Sequence, residues 1–575
     1  MTFEDIKAEH SALAKLARNP IAYFCAEYAL SDELPIYSGG LGVLAADVIR
    51  EAAASGLPLV GVGLFYKQGY FTQVITESGV QDELPAYHDA THVPIQPVLN
   101  PDGSELHIKL YVSNRIIKVR VWQYREAQVS VYLLDTDVPE NQDLDRRLTL
   151  SLYPTDNEWR IQQEIVLGLG GVKLLNRLGL TPSVYHLNEG HSAFAILEIA
   201  HQHMKQTSLA FPEALAYARS RTVFTNHTLI PSGNDVFNGD VVRRLLGEYA
   251  EHLGFPVNQI VNMGAVPNQP ELFSMTHLAL KASKLVSAVS KTHAQFARVT
   301  WPDVRLMPIT NGVCVPYWQG SSWRKVSDEL ARGLEVSDGE MWRIHSQYKA
   351  ELLEYVRETT GRVLHNHVLT LTWARRIAAY KQPLLIFSDI ARLKAILKNS
   401  AQPVQIILAG KAHPGDGAAK AMITEMLKLL HEHGLTDNVV FVPNYNLGVA
   451  RVLVGGSDVW LNTPIKGQEA CGTSGMKSAV NGGLQFAISD GWTDEIDLHK
   501  LGFSISPIDS ATSFYNLLEQ VVVPLYYQKN AEGLPSEWIA RMRETILVVA
   551  RGFSSERMMR DYAEQLYKPI VTEID

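Results

Sequence analysis

Residues 367–462 alternate between short runs of aliphatic and β-branched residues and longer runs with helical spacing of their apolar positions. The strand-like runs are 367–373, 404–410, 438–443 and 458–462, with helical patterns between them at 383–397, 418–434 and 447–455. Strands that alternate with helices in this way build a parallel sheet that is covered on both faces. The sequence therefore predicts an α/β fold, with the carboxyl ends of these strands at one edge of a sheet.

The last of these strands leads into a glycine-rich turn, Pro464 to Gly483, which reads PIKGQEACGTSGMKSAVNGG. The turn carries an acid at Glu469, several small residues and then Lys477 at the predicted start of a helix. Backbone N–H groups at a helix start can bind anions, and the partial positive charge there disfavours an ammonium group. We therefore expect a lowered pKa for Lys477, whose neutral amine could form a Schiff base with an aldehyde. The alternative is a solvated lysine beside glycines that only close a turn.

The N-terminal half of the chain shows a similar succession of strand, polar turn and helix. Residues 22–29 predict a buried strand that ends in the turn SDELPIYSGGLG, and a helical pattern follows it. Gly39 and Gly40 in this turn could let the backbone approach an anion, although glycines in such turns are also purely structural. Three alternating runs near residues 103–137 predict an antiparallel insertion on the first sheet.

Two further strand patterns end in loops that carry histidines. His191 follows Glu189 in one loop, and His227 precedes Asp235 in the other. Polar groups after parallel strands point to the edge where open α/β sheets bind ligands. The spacing matches neither HExxH nor another metal-binding motif, so we predict no metal site.

Length and composition limit the remaining possibilities. A chain of 575 residues exceeds what one hydrophobic core normally sustains, so two large domains are expected. The net charge of −9 argues against nucleic acid or an anionic membrane as the main partner. Cys25, Cys314 and Cys471 are too far apart for a disulfide framework or a zinc site, which favours a reducing, cytoplasmic compartment. We find neither an apolar signal-like segment at the N-terminus nor an uncharged apolar run of about 18 residues.

The turn with Lys477 resembles a segment of one enzyme family. Its string E-A-C-G-T-S-G-M-K, followed by N-G-G, is similar to the segment of the α-glucan phosphorylases (glycogen, starch and maltodextrin) whose lysine holds pyridoxal 5′-phosphate. Other segments resemble that family in the same order: GGLG at 39–42, TNHT at 225–228, PITNG at 308–312, RRIAAYK at 375–381 and NY at 444–445. The resemblance extends from about residue 20 to residue 500 and is much stronger than any single string.

This resemblance implies two facing Rossmann-like domains of the GT-B glycosyltransferase type, with the active site in the interdomain cleft. We expect an N-terminal glucan-binding domain, a C-terminal domain that binds pyridoxal phosphate, and a last helix that crosses back to the first domain, at residues 1–311, 312–548 and 549–575. The core motifs begin near Ala22, so we also expect a short form without the N-terminal regulatory arm of the animal enzymes, and we doubt allosteric control of that kind.

The family motifs assign roles to individual residues of this chain. The residues implied in catalysis are Lys477, Arg376, Lys381 and His227. Those implied in cofactor binding are Lys477, Gly39, Gly40, Trp318, Arg375, Tyr445, Gly472, Thr473 and Ser474. Those implied in substrate binding are Glu469, Asn311, His227, Cys471, Gly472, Leu41 and His191. Arg375 replaces a lysine that usually contacts the cofactor phosphate, and Ala378 replaces a common histidine, so the role of Arg375 stays open.

The reaction implied is the reversible phosphorolysis of an α-1,4-glucan to α-glucose 1-phosphate, with retention of configuration. Its partners are the glucan, inorganic phosphate and glucose 1-phosphate, and the family suggests a homodimer. Two alternatives remain. One is a nucleotide-sugar-dependent glucan synthase, although that group has a glutamate in place of Lys477 and a lysine in place of Tyr37. The other is a non-catalytic glucan-binding homologue that keeps the cofactor.

Overall fold

The computed structural model describes residues 2–228 and 234–573, and these divide into two compact units. The first unit comprises the described residues of Met1–Phe71, Pro85–Ile309 and Met558–Asp575, and the second comprises Thr72–Leu84 and Thr310–Arg557. The units therefore divide at 309/310 and 557/558, where the sequence placed boundaries at 311/312 and 548/549. The segment Thr72–Leu84 differs from the prediction, because it belongs to the second unit although the sequence placed it in the first domain.

The strands are short and distributed along the whole described chain. They are β1 (Ile21–Phe24), β2 (Leu59–Leu64), β3 (Thr72–Ile75), β4 (Gln81–Leu84), β5 (Gln96–Pro97), β6 (His107–Val112), β7 (Arg115–Glu126), β8 (Val129–Asp135), β9 (Val184–Asn188), β10 (Thr222–Asn226), β11 (Val236–Asn238), β12 (Ala265–Val266), β13 (Gln269–Ser274), β14 (Leu285–Ala288), β15 (Leu306–Pro308), β16 (Leu369–Ala374), β17 (Val404–Ala409), β18 (Val439–Val442), β19 (Val459–Asn462), β20 (Leu484–Ile488) and β21 (Gly502–Ile505).

Helices connect most of these strands. They are α1 (Phe3–Glu9), α2 (Gly40–Ser55), α3 (Asp143–Arg146), α4 (Asn157–Ile165), α5 (Gly171–Arg177), α6 (Ala195–Thr207), α7 (Phe211–Ser220), α8 (Gly239–Leu253), α9 (Val257–Met263), α10 (Met275–Ala282), α11 (Lys291–Thr300), α12 (Val315–Trp318), α13 (Ser321–Ala331), α14 (Asp338–Thr360), α15 (Ile390–Leu397), α16 (Gly417–Glu432), α17 (Leu447–Gly456), α18 (Ser474–Ala479), α19 (Leu498–Leu501), α20 (Ser510–Leu517), α21 (Val523–Tyr527), α22 (Ser536–Gly552), α23 (Ser555–Tyr562) and α24 (Lys568–Thr572). Within the described ranges, none of them has both the length and the apolar character that crossing a membrane requires.

The first unit is built on a sheet with the strand order β15-β14-β10-β9-β1-β2-β8-β7-β5, and β6 pairs with β7. The strands from β15 to β8 are parallel, whereas β5 and β6 are antiparallel to β7, which is antiparallel to β8. Most of the region predicted as an insertion thus continues the main sheet, since β8 joins β2 directly. A small sheet, β11-β13-β12, completes this unit.

The second unit contains a six-stranded parallel sheet with the order β18-β17-β16-β19-β20-β21. Nearly every residue of its strands is buried, which explains why they read as continuous apolar runs rather than as alternating ones. Numbered along the chain, the sheet runs 3-2-1-4-5-6, so the strand order reverses between β16 and β19. Open α/β sheets bind ligands outside the carboxyl ends of the strands at such a reversal.

The parallel part of the first sheet follows the same rule. Its seven parallel strands, numbered along the chain, run 3-2-1-4-5-6-7 from β8 to β15, so the reversal falls between β1 and β9. The loop after β1 leads to Glu27, and the loop after β9 carries Glu189 and His191. Each unit therefore brings predicted site residues to the reversal point of its own sheet.

A buried ionic network fixes the amino ends of β16 and β19. The Asp458 carboxylate, which directly precedes β19, lies 2.5 Å from Lys349 Nζ and 2.6 Å from His345 Nε2. Lys349 also donates to the Val368 carbonyl at 2.7 Å and to the Tyr526 hydroxyl at 3.0 Å. Because all charged members are fully buried, removing one partner would leave an uncompensated charge in the core. This network holds in place the two strands that carry the site residues at their other ends.

Candidate active site

A buried carboxylate, a buried arginine and a partly buried lysine meet at the carboxyl edge of the second sheet. Arg375 directly follows β16, and its Nη1 lies 2.8 Å from Glu469 Oε2. Lys381 Nζ lies 2.9 Å from the same oxygen. Burial alone would raise the pKa of Glu469, but Arg375 and Lys381 outweigh burial and hold this pKa at about 2. The cluster thus contains one carboxylate against two cations, and this imbalance favours an anionic ligand.

One N–H group of the Arg375 guanidinium has no hydrogen-bond acceptor in the described part of the chain. Its Nη2 donates to Ser474 Oγ at 3.1 Å, and Trp460 Nε1 donates to the same hydroxyl oxygen at 3.2 Å. Its Nε is buried and has no hydrogen-bond partner among the described residues. A buried donor without a partner is costly, so an anion that accepted from Nε would be stabilised here. Arg375, whose role the sequence left open, therefore lies at the centre of the cluster.

Lys477 and Trp318 are brought together in the same unit. Lys477 is the fourth residue of α18, it is buried, and its Nζ lies 4.1 Å from the centroid of the Trp318 ring. Asn481 Nδ2 donates to the backbone carbonyls of both residues, at 2.8 Å for Lys477 and 2.9 Å for Trp318. A single side chain thus fixes the lysine and the aromatic ring relative to each other. The sequence had singled out both residues but not Asn481.

The loop that carries Glu469 depends on Asp490, which sequence reasoning missed. Asp490 Oδ2 accepts the backbone N–H groups of Gly467 at 2.9 Å and of Glu469 at 3.1 Å. Burial raises the pKa of Asp490 to about 6. The residue follows β20, and a polar residue after a predicted strand was the signal that could have identified it. Its contacts fix the approach of Glu469 to the cations.

Position 472 requires a glycine, because the Glu469 carboxylate lies too close to leave room for a side chain. A Cβ at position 472 would overlap the Glu469 carboxylate oxygen Oε1. We expect Gly472→Ala to preserve the fold but to displace the carboxylate, lowering kcat/KM by about ten- to a hundredfold as ionic hydrogen bonds are lost. The measurement is the steady-state rate of the reaction that the family resemblance implies, together with the melting temperature.

Gly455→Ala is the matched control for this prediction, since nothing lies within 4 Å of a Cβ there and Gly455 is inside α17. That variant should keep its activity and gain stability, because alanine favours a helix over glycine by about 1 kcal/mol. Equal activity of the two variants would contradict the close approach of Gly472 to Glu469.

Arg376 differs in burial from Arg375, to which it is adjacent in the chain. It is exposed, whereas Arg375 is buried. Burial would raise the pKa of Tyr380, but Lys381, helped by Arg376, outweighs it and lowers this pKa. Of the two arginines that were candidates for the phosphate clamp, Arg375 is the one that contacts Glu469, so the role of Arg376 stays a prediction.

The remaining predicted residues of the second unit lie near the same loops. The backbone N–H of Asn311 donates to the Cys471 thiol, whose pKa burial raises. The Asn311 side chain is buried, and its Oδ1 has no partner among the described residues.

Thr473 caps α18, and its carbonyl accepts the Lys477 N–H at 3.3 Å. Burial raises the pKa of Tyr445 to about 12, and the positive charge of Arg375 partly opposes this. Tyr445 therefore lies close enough to Arg375 for their charges to interact.

In the first unit, the Glu27 side chain binds the backbone of the glycine-containing turn that precedes α2. Its Oε2 accepts the backbone N–H groups of Ser38 at 2.6 Å and of Gly39 at 3.1 Å, and its Oε1 accepts from the Tyr153 hydroxyl at 2.9 Å. The Gly39 amide thus already donates to a carboxylate of the protein, and its contact with an anion stays a prediction. Gly40 and Leu41 are the first two residues of α2, and their amides are the ones left to meet an anion.

His227 is held as a neutral imidazole. Its Nε2 lies 2.5 Å from Asn188 Oδ1, and Glu189 Oε2 accepts its backbone N–H at 2.9 Å. Burial lowers the pKa of His227 to about 3, so its ring is uncharged near neutral pH. Because Nε2 faces a carbonyl oxygen and must donate, Nδ1 is the acceptor. Residues 229–233, which complete the string around His227, lie outside the described residues.

Glu189 joins this group in a strained backbone conformation. Its φ of 71° lies in a region that non-glycine residues rarely adopt. Burial raises the pKa of its carboxyl group to about 7. The carboxylate also accepts the Gly190 N–H at 3.1 Å, which helps to fix the turn after β9. Strain at a strand end beside His227 is typical of a functional loop.

His191 belongs to a second buried group in the first unit. Its Nε2 lies 3.3 Å from Asp235 Oδ2, and Arg160 Nη2 lies 2.7 Å from Asp235 Oδ1. Burial, and then the charge of Asp235, raise the pKa of Glu164 well above its ordinary value. Glu164, His191 and Asp235 place possible metal ligands within 4.8 Å of one another. The Arg160 guanidinium already neutralises Asp235, so this group is explained as an ion-pair network.

Comparison with known proteins agrees with the motifs. The family model described as carbohydrate phosphorylase matches residues 103–502, which is more than half of the chain. The chain is 37% identical to the maltodextrin phosphorylase of Thermococcus litoralis, over 95% of this chain and 70% of that protein. It is 35% identical to the glycogen phosphorylase of Mycobacterium tuberculosis, over 96% and 71% of the two chains. It is 34% identical to that of Aquifex aeolicus, over 98% and 88%. These matches confirm the resemblance, and this chain belongs to the carbohydrate phosphorylase family.

Proposed function

We propose that this protein is an α-glucan phosphorylase. It would transfer the glucosyl unit at the non-reducing end of an α-1,4-glucan to inorganic phosphate and form α-glucose 1-phosphate with retention of configuration. The observation that carries the proposal is the buried cluster of Arg375, Lys381 and Glu469 in a chain of this family. The cluster combines net positive charge, which suits a phosphate group, with an ionised carboxylate, which suits sugar hydroxyls.

The fold is consistent with the GT-B type, which we propose for this chain. Both parallel sheets share the order 3-2-1-4-5-6 at their reversal points, which is the order of Rossmann-like domains. The two sheets would then be the two Rossmann-like halves of a glycosyltransferase. Each contributes loops from the carboxyl ends of its strands.

The residues of the second unit fit pyridoxal 5′-phosphate. Lys477 supplies a buried amine for the aldehyde group, and the Trp318 ring 4.1 Å away supplies a flat apolar wall. Arg375 Nε supplies a buried donor that lacks a partner in the described structure, which suits a phosphate oxygen. Tyr445 and the amide of Thr473 would add neutral donors. When bound, the cofactor supplies a phosphate group that serves as proton or electrostatic partner of the substrate phosphate.

The protein groups assigned to the sugar act by binding and orientation. Asn311 Oδ1 is a buried acceptor without a partner in the described part of the chain, so it could accept from a hydroxyl group. Glu469, with a pKa of about 2, is ionised and accepts hydrogen bonds only. His227, with a pKa of about 3, is a neutral imidazole near neutral pH whose Nε2 proton is donated to Asn188, so we assign its Nδ1 to hydroxyl binding. Proton transfer to the leaving glucan is thereby left to the substrate phosphate, which Arg376 and Lys381 would hold.

Phosphate-dependent formation of glucose 1-phosphate is the direct test of the function. Purified protein is incubated with maltoheptaose and inorganic phosphate, and glucose 1-phosphate and the shortened glucan are quantified. A control without phosphate measures hydrolysis, which should be negligible. A parallel incubation with nucleotide-glucose measures nucleotide release. Nucleotide release without phosphorolysis would indicate a synthase, and glucan binding without either product would indicate a non-catalytic homologue.

A homodimer is proposed from the family resemblance alone. Light scattering separates a dimer from a chain of 64.0 kDa, because the mass would be twice that value.

A further inference from the structure

The hairpin β3–β4 is an element of the second unit although it lies far from that unit in sequence. Gln73 on β3 and Gln81 on β4 are buried, whereas Val74 between them in the sequence is exposed. One face of the hairpin thus carries two buried amide side chains beside Ile75, which packs against the apolar core of the unit. Buried amides are retained only where their donors and acceptors are satisfied, so the partners of these glutamines define what the hairpin does.

Gln73 and Gln81 bind two different loops. Gln81 pairs in both directions with the backbone of Ala412, donating to its carbonyl and accepting its N–H, each at 2.9 Å. Gln73 Oε1 accepts the backbone N–H of Asn444 at 2.7 Å, and Gln73 N donates to Asn444 Oδ1 at 3.2 Å. Gln73 Nε2 donates to Gly410 O at 2.8 Å and to Gln81 Oε1 at 2.9 Å. Gln73 thus uses its acceptor and both its amide protons.

The loop bound by Gln73 has an unfavourable backbone conformation at Asn444. The φ of Asn444 is 55°, in the left-handed region, which costs free energy for any residue with a Cβ. Its reciprocal pairing with Gln73 offsets this cost. On the other side of Tyr445, Asn446 caps α17 by accepting the Val449 N–H at 3.0 Å. Tyr445 is therefore held between two fixed asparagines, and its backbone has little freedom.

Tyr445 lies at the anion cluster of the second unit. The charge of Arg375 acts on its hydroxyl group, and Arg375 itself contacts Glu469 at 2.8 Å. Gln73 thus contacts Asn444, which is bonded to Tyr445, and it also binds the carbonyl of Gly410, where a Cβ would lie 2.1 Å from the Arg375 carbonyl oxygen. Gln81 does not contact Asn444 and reaches these contacts only through its bond with Gln73 Nε2, while its backbone partner Ala412 belongs to the loop after β17.

We infer that Gln73 is a positioning residue, which fixes Tyr445 at the anion site through its two-way pairing with Asn444. The inference rests on the proposed function only for the identity of the anion, the phosphate group of pyridoxal phosphate. The competing explanation is that both glutamines merely attach the hairpin to the unit. The two explanations differ in whether the effect of Gln73 depends on the Tyr445 hydroxyl.

The test measures the rate at which the holoprotein releases pyridoxal phosphate into a trap, for Gln73→Met alone and combined with Tyr445→Phe. A hydrogen bond to a charged group is worth about a tenfold change or more. We therefore expect Gln73→Met to accelerate release about tenfold and to add less than about twofold in the Tyr445→Phe background, since contacting residues are not additive. Gln81→Met is the control for hairpin attachment. Gln123→Met, which removes an exposed amide pair with Gln96, is the control for the substitution itself.

The inference is overturned if Gln73→Met releases the cofactor at the wild-type rate, if its effect is equally large with Tyr445→Phe, or if Gln81→Met matches it. Should Gln73→Met fail to fold, Gln73→Glu replaces it. Its carboxyl group accepts the Asn444 N–H in either protonation state, but it no longer makes both donations to Gly410 and Gln81. We expect release near the wild-type rate, because the pairing with Asn444 is kept, and a tenfold faster release would contradict positioning through Asn444.

Failure of the proposed function has a separate signature, a wild-type protein without pyridoxal phosphate. In that case, the same variants are compared by calorimetric titration with inorganic phosphate. Weakening by about tenfold in Gln73→Met, and not in Gln81→Met, supports positioning at an anion site. Unchanged affinity rejects it.

Discussion

Replacing Lys477 by alanine is expected to abolish both cofactor binding and phosphorolysis. The lysine is buried and its Nζ lies 4.1 Å from the centroid of the Trp318 ring, so the substitution removes the amine that is assigned to the aldehyde group. The unmodified protein should absorb in the near ultraviolet and release pyridoxal phosphate on denaturation, and Lys477→Ala should do neither. Thermal melting should show a folded variant, because alanine favours the helix α18 and its smaller side chain overlaps no neighbouring group.

Lys500→Ala is the matched control, because Lys500 is an exposed lysine of the same unit. This control variant should keep the absorbance and the activity. An unmodified protein that is colourless and free of pyridoxal phosphate, yet still phosphorolyses glucan, would contradict the assignment of Lys477.

The overall fold class could be predicted because parallel strands that are buried on both faces leave a strong local signal. The continuous apolar runs at β16, β17 and β19 are readable one at a time, and their helices separate them cleanly. The family resemblance also rests on local strings, and it is confirmed. These features depend on neighbouring residues in the chain, which a sequence displays directly.

Long-range pairing of polar side chains left no such signal. The hairpin β3–β4 reads as a polar segment of the first domain, and its place in the second unit depends on contacts of Gln73 and Gln81 over more than 300 positions. Glu27 is likewise an acid at a strand end, and only the folded loop shows that it occupies the Gly39 amide. Such contacts decide which predicted groups are available to a ligand.

The sequence also could not show which of two adjacent arginines, Arg375 or Arg376, enters the buried cluster. Arg375 and Arg376 both follow β16, and the family motif favoured Arg376 for the phosphate clamp. Both residues lie in the loop after β16, where no regular alternation tells which side chain enters the buried cluster. In the structure this is Arg375, and Arg376 is exposed.

The two arginines should therefore give different kinetic results when each is changed to alanine. Arg375→Ala leaves Glu469 with Lys381 as its cationic partner and removes a buried charge-assisted bond, which costs about ten- to a hundredfold or more. Because Glu469 is assigned to the sugar, we expect kcat/KM to fall with glucan, phosphate and glucose 1-phosphate alike. Cofactor release should accelerate as well, since Arg375 Nε is the donor proposed for the cofactor phosphate.

Arg376→Ala should instead raise only the KM for inorganic phosphate and for glucose 1-phosphate, by about tenfold, while the KM for glucan and the rate of cofactor release stay near the wild-type values. Arg376→Lys should rescue the loss in part, because an ammonium group offers a point charge where a guanidinium offers two aligned donors. Steady-state kinetics in both reaction directions measures the contrast. If Arg376→Ala lost thermal stability but kept both KM values, Arg376 would belong to a structural charge cluster, and Lys381 would be left as the cation for the substrate phosphate.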